Sequence, residues 1–515
     1  MVTNEVKSGD GEAVIADKLR LIDAVQRLGV GYHFEIEIEE TLEKIHDMGE
    51  GLFANIDNKG TDLYREALRF RLLRQQRFPT SPEGFRKLKN GDGRFKEWLS
   101  RDVQGLLSLY EATHMAFNGE DILDEALSFA AKSLKSIGLP THEKISPSFQ
   151  KQIDFALRLP AWKCPPRSLA RHSIDNFYLE DSTLNQYLLT FAKLDFNMVQ
   201  SFHQQELREL SDWWKSIDVT TNFPYARDRL VESYYVFNCA YFEPKYGLGR
   251  IMGTKIFLVV TILDDTIDNF ATFEEVRALV EAIDERMGVR ALDKLPDRMK
   301  NVYRAIRDLY TEIESEIGKT GPTFGVEYAK GELKKLAQFW LDEARCYSKG
   351  QFPTLKKYFI DACVTGGIPK LCASAFVGMG AETATRETFE WIANRSKMVK
   401  AASFIGRLQN DICSHKQFEQ KRNHWPSAVE CYIKECGVSE VEAVEFLWKV
   451  ISKLWKDIAE EYCQKPTELP STLTNRLLNL ARCANIVYEK DDDYITHSHL
   501  LKDHLNSLFI HPIPL

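Results

Sequence analysis

The sequence predicts an all-α protein of two helical domains, and three observations carry that expectation. Apolar residues recur at helical spacing along most of the chain, as in residues 102–117 and 120–134. Strand-like alternation is rare. Residues 34–38 alternate, but Ile38, Leu42 and Ile45 continue the pattern at helical spacing, so helix is the better reading there. At 515 residues the chain is also too long for one ordinary core. No Gly/Ser-rich linker marks a boundary, and residues 184–214 read as one nearly continuous helix. The boundary is placed near residue 195, giving domains 1–195 and 196–515, because the chemically suggestive residues all follow it.

Composition narrows the function. Apolar residues make up 44% and charged residues 28%, as in a soluble globular protein. A net charge of −8, with no basic stripe interleaved with aromatics, argues against nucleic acid. No purely apolar stretch is long enough to span a membrane, so no membrane association is expected. The first 18 residues are polar and acidic, without an apolar core or an Arg/Ser-rich leader, which points to the cytoplasm. The ten cysteines include no Cys-x-x-Cys pair and read as reduced, mostly buried thiols. An acidic protein that handles an anionic substrate then needs local positive charge, from metal or from placed arginines.

Three elements in the second half suggest such a site. In residues 256–270, seven of the eight residues before Asp264 are apolar, which describes a helix buried nearly all round. Asp264, Asp265 and Asp268 follow at its end, where acids oppose the helix dipole and need another reason to be present. Asp264 and Asp268 share a helix face about 6 Å apart, suited to bridging hard cations. Downstream, Asn410 and Ser414 are also four apart and offer amide and hydroxyl oxygens to the same kind of cation. Upstream, Arg227-Asp228-Arg229 could clamp phosphate through bidentate hydrogen bonds. A contrasting acidic run lies at residues 120–125. Asp121, Asp124 and Glu125 there open an amphipathic helix, where acids favour the positive end of the dipole and need no functional explanation.

This order, Arg-x-Arg, then Asp-Asp-x-x-Asp, then an Asn/Ser/Glu motif, resembles the signatures of the plant class I terpene synthases. The resemblance runs over nearly the whole chain, through residues 191–214, 241–250 and 427–443 and the C-terminal LFIHPIPL. It is closest in character to the angiosperm sesquiterpene synthases. It implies a class I terpenoid synthase fold in the C-terminal domain and a catalytically silent N-terminal relic α-barrel capping the active site. It implies three Mg²⁺ ions, with Mn²⁺ as an alternative, held by Asp264, Asp265 and Asp268 on one wall and by Asn410, Ser414 and Glu419 on the other. Arg227, Arg229 and Arg407 would stabilise the departing diphosphate. Tyr488 and Tyr494, with Asp492 beside them, match pocket positions of the family. Thr365 and Gly366, followed by Gly367, Ile368 and Pro369, match its helix break, and a Gly-Gly before a proline makes such a break physically natural.

Three positions depart from the family pattern. The usual glutamate stands eight residues after the asparagine, whereas here that position is Phe418 and Glu419 is ninth. At about 100° per residue a ninth position faces the opposite side of the helix, which predicts a π-bulge or local unwinding among residues 414–418. Val236 stands where many relatives carry a pocket-floor tryptophan. Ile267 replaces a common aromatic inside the Asp-rich motif, away from the Asp264/Asp268 line.

The resulting expectation is a monomeric lyase that ionises farnesyl diphosphate, cyclises the carbocation and releases diphosphate. The alternatives are a monoterpene synthase acting on geranyl diphosphate and a catalytically impaired helical paralogue. A chain-elongating prenyltransferase would carry a second Asp-rich motif. A protonation-initiated cyclase would carry Asp-x-Asp-Asp in the first half, where none is found.

Overall fold

A computed structural model describes residues 12–49, 61–137, 145–178, 185–284, 289–319, 321–381, 383–415, 426–464, 469–489 and 499–515. The chain forms two compact units. One comprises Met1–Met198, Trp455–Glu468 and His511–Leu515; the other comprises Val199–Leu454 and Leu469–Ile510. Among the described residues the architecture is helical throughout, and the only extended pairing is an isolated bridge between Lys89 and Phe95. The all-α expectation holds.

In the first unit, α1 (Glu35–Asp47) buries Ile38, Leu42 and Ile45 on one face, so helical periodicity prevails over the short alternating run before it. Helix α2 (Val103–Thr113) is capped by Asp102, whose carboxylate accepts the Gly105 N–H at 2.9 Å. It packs on α3 (Asp121–Ile137) through Leu106, Leu107, Tyr110, Ala130 and Leu134. Each of the three leucines contributes roughly 1.5–3 kcal/mol through burial. Helix α4 (Gln186–Ser216) starts in this unit and ends in the other without interruption.

The second unit is organised around α6 (Gly247–Asn269), which packs against α5 (Leu230–Ala240), α7 (Asp297–Gly318) and α10 (Ile368–Val377). Ile256, Leu258, Val259, Ile262 and Leu263 are buried, which explains the almost unbroken apolar run. At its start α6 touches the segment after α10 backbone to backbone. A Cβ on Gly378 would lie 2.1 Å from the Gly249 Cα, so any side chain there would force the two segments apart. Around this centre stand α8 (Phe324–Ser348), α9 (Leu355–Thr365), α11 (Lys397–Ser414), α12 (Ala428–Cys436), α13 (Ser471–Val487) and α14 (His499–Phe509).

Helices α9 and α10 would be one rod but for two glycines. Gly367 adopts φ +72°, a left-handed conformation that a side chain would strain, and Pro369 restarts the helix at its first turn. Gly366 is needed for space, since a Cβ there would meet the Ser403 carbonyl oxygen at 2.8 Å.

Among the described residues two segments, Pro244–Asp268 and Leu355–Val377, are long and apolar enough to cross a membrane by length and mean hydropathy. They are interior helices of the second unit, with 78% and 67% of their apolar windows buried. All ten cysteines are free, and only Cys436 is exposed.

Candidate active site

The last turn of α6 carries the aspartates, and the loop before α5 meets it. Tyr225 stacks on Phe270 with ring centroids 4.1 Å apart. Its hydroxyl lies 2.9 Å from Thr266 Oγ1, which itself donates to the Ile262 carbonyl, so Tyr225 is the donor. Two residues on, the Arg227 backbone N–H donates to Asp265 Oδ2 at 2.8 Å. The Arg227 guanidinium donates to Asp264 Oδ2 and pairs with Asp265 Oδ1, each at 2.7 Å.

Helical geometry divides the aspartates. Asp265 is buried and turned to Arg227, whereas the Asp264 side chain is 30% exposed and Asp268 reaches solvent. Burial raises the Asp264 carboxyl above its usual range, against the pull of Arg227 and with added repulsion from Asp265. Asp268, although it touches solvent, sits where the surrounding protein displaces most bulk water. That desolvation, with repulsion from Asp264, pushes it to about 7.

Further charged groups near the aspartates come from α8, α9 and α11. Glu343 on α8 is pushed to about 8, first by burial; Arg407 lowers it, and Asp268, Asp361 and Asp264 repel it. Arg407 on α11 also lowers Asp264 and Asp268, so it lies within electrostatic reach of both. Its Nε donates to the Tyr358 hydroxyl at 2.9 Å and pairs with Asp411 Oδ1 at 3.0 Å. Arg229 differs from Arg227: it is buried at the start of α5, and its guanidinium donates to the Asp228 carbonyl at 2.8 Å.

On the same helix Asn410 is half-buried and Ser414 buried. The Ser414 hydroxyl donates to the Asn410 carbonyl at 2.8 Å, which leaves its lone pairs as possible acceptors for a cation. The helix remains α-helical to its end, and the His415 N–H still reaches the Asp411 carbonyl at 3.1 Å. Glu419, and residues 416–418 of the expected bulge, lie outside the described residues. So do Asp492 and Tyr494.

These groups suit a hard divalent cation. Carboxyls that repel one another in a cleft are relieved by positive charge, and all the offered atoms are oxygens. Among the described residues no three His, Cys, Asp or Glu side chains converge into a closed metal group. An open set fits Mg²⁺, which usually takes one or two carboxylates and keeps waters and substrate phosphates.

Comparison with known proteins agrees. Residues 215–457 match the family model "Terpene synthase family, metal binding domain", and residues 1–157 match "Terpene synthase, N-terminal domain". Terpene synthase 1 of Citrus sinensis is 44% identical over 98% of this chain and 90% of its own length. The chain belongs to the terpene synthase family. Enzymes of this family are lyases that act on prenyl diphosphates. Sesquiterpene synthase 2 of Toona sinensis is 43% identical over 97% of this terpene synthase and 88% of its own length. Among solved structures, isoprene synthase from grey poplar leaves (Populus x canescens), in complex with three Mg²⁺ ions and dimethylallyl-S-thiolodiphosphate, is 33% identical. It superposes with a TM-score of 0.89, covering 100% of this chain and 95% of that one.

In this terpene synthase the remaining expected residues fall as follows. Thr365 and Gly366 form the break between α9 and α10. Val236 is buried on α5 next to Tyr235, whose hydroxyl lies 3.1 Å from His504 Nε2. Tyr488 ends α13, and its carbonyl accepts the Cys413 thiol at 3.2 Å, tying it to α11. A cavity of about 820 Å³ opens elsewhere in the second unit, lined by Gln204, Arg208, Glu232, Lys502 and Phe509 among others, and none of the expected site residues lines it. The sequence reading missed Glu343, Tyr358 and Asp411. Only Asp411 left a local signal, its four-residue spacing from Arg407.

Proposed function

We propose that this chain is a sesquiterpene synthase that ionises farnesyl diphosphate in the presence of Mg²⁺, cyclises the carbocation and releases diphosphate. What carries this reading is an arrangement: Asp264, paired with Arg227 at 2.7 Å, and Asp268 at the end of α6 lie within electrostatic reach of Arg407 on the helix bearing Asn410 and Ser414. The C15 chain length rests on likeness to relatives such as the Toona sesquiterpene synthase. The use of Mg²⁺ rests on the oxygen donor set and on the isoprene synthase complex.

Asp264, Asp268, Asn410 and Ser414 would hold the metal, joined in this reading by Glu419, while Asp265 anchors Arg227. Bound there, Mg²⁺ supplies Lewis-acid stabilisation of the negative charge that grows on the leaving diphosphate. Arg227 and Arg407 add preorganised positive charge at the same end, worth most where bulk water is displaced. The hydrocarbon portion needs walls that exclude water. We assign Val236, Tyr488 and the α9–α10 break to those walls, with aromatic faces stabilising passing positive charge by roughly 0.5–2 kcal/mol each. The first unit is assigned no chemistry, since its acidic run is taken up in ordinary ion pairs.

Separate incubations with geranyl, farnesyl and geranylgeranyl diphosphate and Mg²⁺, analysed by gas chromatography, test the reading. Cyclic C15 products from the farnesyl substrate are expected. Turnover confined to geranyl diphosphate would make it a monoterpene synthase, and no product from any of the three would favour an impaired paralogue.

A further inference from the structure

Arg407 is held from behind by two residues that no sequence motif singled out. Tyr358 on α9 and Asp411 on α11 are 2% and 0% exposed. The Tyr358 hydroxyl sits between two charges, accepting the Arg407 Nε–H at 2.9 Å and donating to Asp411 Oδ2. Asp411 Oδ2 also accepts the Ala428 N–H at 3.0 Å at the start of α12, and Oδ1 faces Arg407 Nε at 3.0 Å. The Arg407 guanidinium lies 5.9 Å from the Tyr358 ring centroid. Three helices thus converge on one buried carboxylate, and a single phenol couples it to the arginine.

A side chain with four rotatable bonds would otherwise have to be ordered when diphosphate arrives, at a cost of up to about 2 kcal/mol. Fixing Nε in advance aims the planar guanidinium, and planar aim is what distinguishes arginine from lysine in recognising phosphate. Arg407 lowers the carboxyls of Asp264, Asp268 and Glu343, so the held guanidinium lies within electrostatic reach of the acids at the end of α6.

We propose that Tyr358 is a positioning residue for diphosphate recognition: its hydroxyl, backed by Asp411, locks Arg407 in its binding orientation before substrate enters. This rests on the reading of the cleft as a prenyl diphosphate site. It goes beyond that reading in assigning a role to a residue that need touch neither substrate nor metal.

The test is a double-mutant cycle read by binding of inorganic diphosphate with Mg²⁺, using titration calorimetry on the full chain. Tyr358→Phe keeps the ring and removes only the hydroxyl. It should weaken diphosphate binding about tenfold, equivalent to about 1.4 kcal/mol. In an Arg407→Met background the same substitution should change binding less than about twofold, because the group it orients is gone. A merely structural role predicts equal losses in both backgrounds, and that result would overturn the proposal, as would full-strength binding by Tyr358→Phe alone. Should Tyr358→Phe fail to fold, Asp411→Asn takes its place in the cycle; collapse of both would also overturn the proposal, showing a structural tie only. Product formation by the unmutated enzyme is measured separately. Its absence, with the cycle intact, would count against the farnesyl substrate and leave the positioning role standing.

Discussion

Two acidic runs on two helices, one in each unit, end in opposite circumstances. In the first unit Asp121 and Asp124 sit in the first turn of α3, where the helix dipole favours them. Asp124 is paired with Lys456 Nζ at 2.5 and 2.7 Å, and Glu125 is paired with Lys89. Glu120 just before them receives Arg74 at 2.5 Å and the Phe117 N–H at 2.7 Å. Glu120, Asp124 and Glu125 are each answered by a lysine, an arginine or a backbone donor, and Asp121 is exposed to solvent. In the second unit the acids lie at the dipole's unfavourable end, partly desolvated, and repel one another. Arg227 answers Asp264 and Asp265 directly, while Asp268 and Glu343 are left pushed up to about 7 and about 8. Acids whose mutual repulsion and desolvation outweigh the nearby arginines are what the proposed cation would relieve.

That contrast can be broken most decisively by neutralising one acid on each helix. Asp264→Asn is expected to lower kcat/KM roughly 10³-fold, about 4 kcal/mol of barrier, in steady-state assays with farnesyl diphosphate and Mg²⁺.

A buried cation in the second unit gives the next largest effect, on stability. Lys370 on α10 is fully enclosed, and its Nζ donates to the Tyr310 hydroxyl at 2.7 Å; burial lowers its pKa to about 7. The unfolded chain keeps that proton up to 10.5 whereas the folded chain releases it near 7, so wild-type stability should climb with pH across that window. Lys370→Met should flatten this slope and add on the order of 3 kcal/mol at pH 7, with a smaller gain at pH 9, measured by urea unfolding.

Asp268→Asn should separate stability from function. A raised carboxyl binds a proton in the folded state between about pH 4 and 7 that the unfolded state has lost, so stability falls as pH rises through this window. At pH 8 with chelator, the variant should melt about 2–3 °C higher than wild type. Mg²⁺ should then raise the melting temperature of wild type and leave the variant nearly unmoved.

Val236→Trp should shift the product profile while changing kcat only a few-fold; an unaltered chromatogram would remove Val236 from the pocket. Smallest of all, Asp124→Asn should leave product formation unchanged and cost at most about 0.5–1 kcal/mol, since an exposed pair contributes little. A large loss of activity there would undo the comparison between the two helices.

Much of this was legible in the chain because it depends on local spacing. The four-residue intervals of Asp264/Asp268 and Asn410/Ser414 fix shared helix faces, and Gly366-Gly367 before Pro369 writes a helix break directly. What was not legible depends on distant elements meeting. Glu343 and Tyr358 come from α8 and α9 and carry no spacing signature relative to the aspartates. Asp411 was masked by its neighbour Asn410, although its interval from Arg407 matched a helix ion pair. The passage between units was equally silent, because α4 runs through it as regular helix, and nothing in residues 455–468 announces that they return to the first unit.

The tight seat of Gly366 bears on how such an enzyme can diversify. A methyl at that position would press on the carbonyl oxygens of Ser403 and Ala362 and would reach within 3.4 Å of the Arg407 Cβ. A substitution there would push on α11 and so disturb Arg407, the arginine proposed to bind diphosphate. Gly367 is closed to exploration for a different reason, its left-handed backbone. If Val236 lines the hydrocarbon pocket as proposed, mutational drift toward new ring systems would be channelled away from the break and onto that position, where shape could vary without pressing on α11.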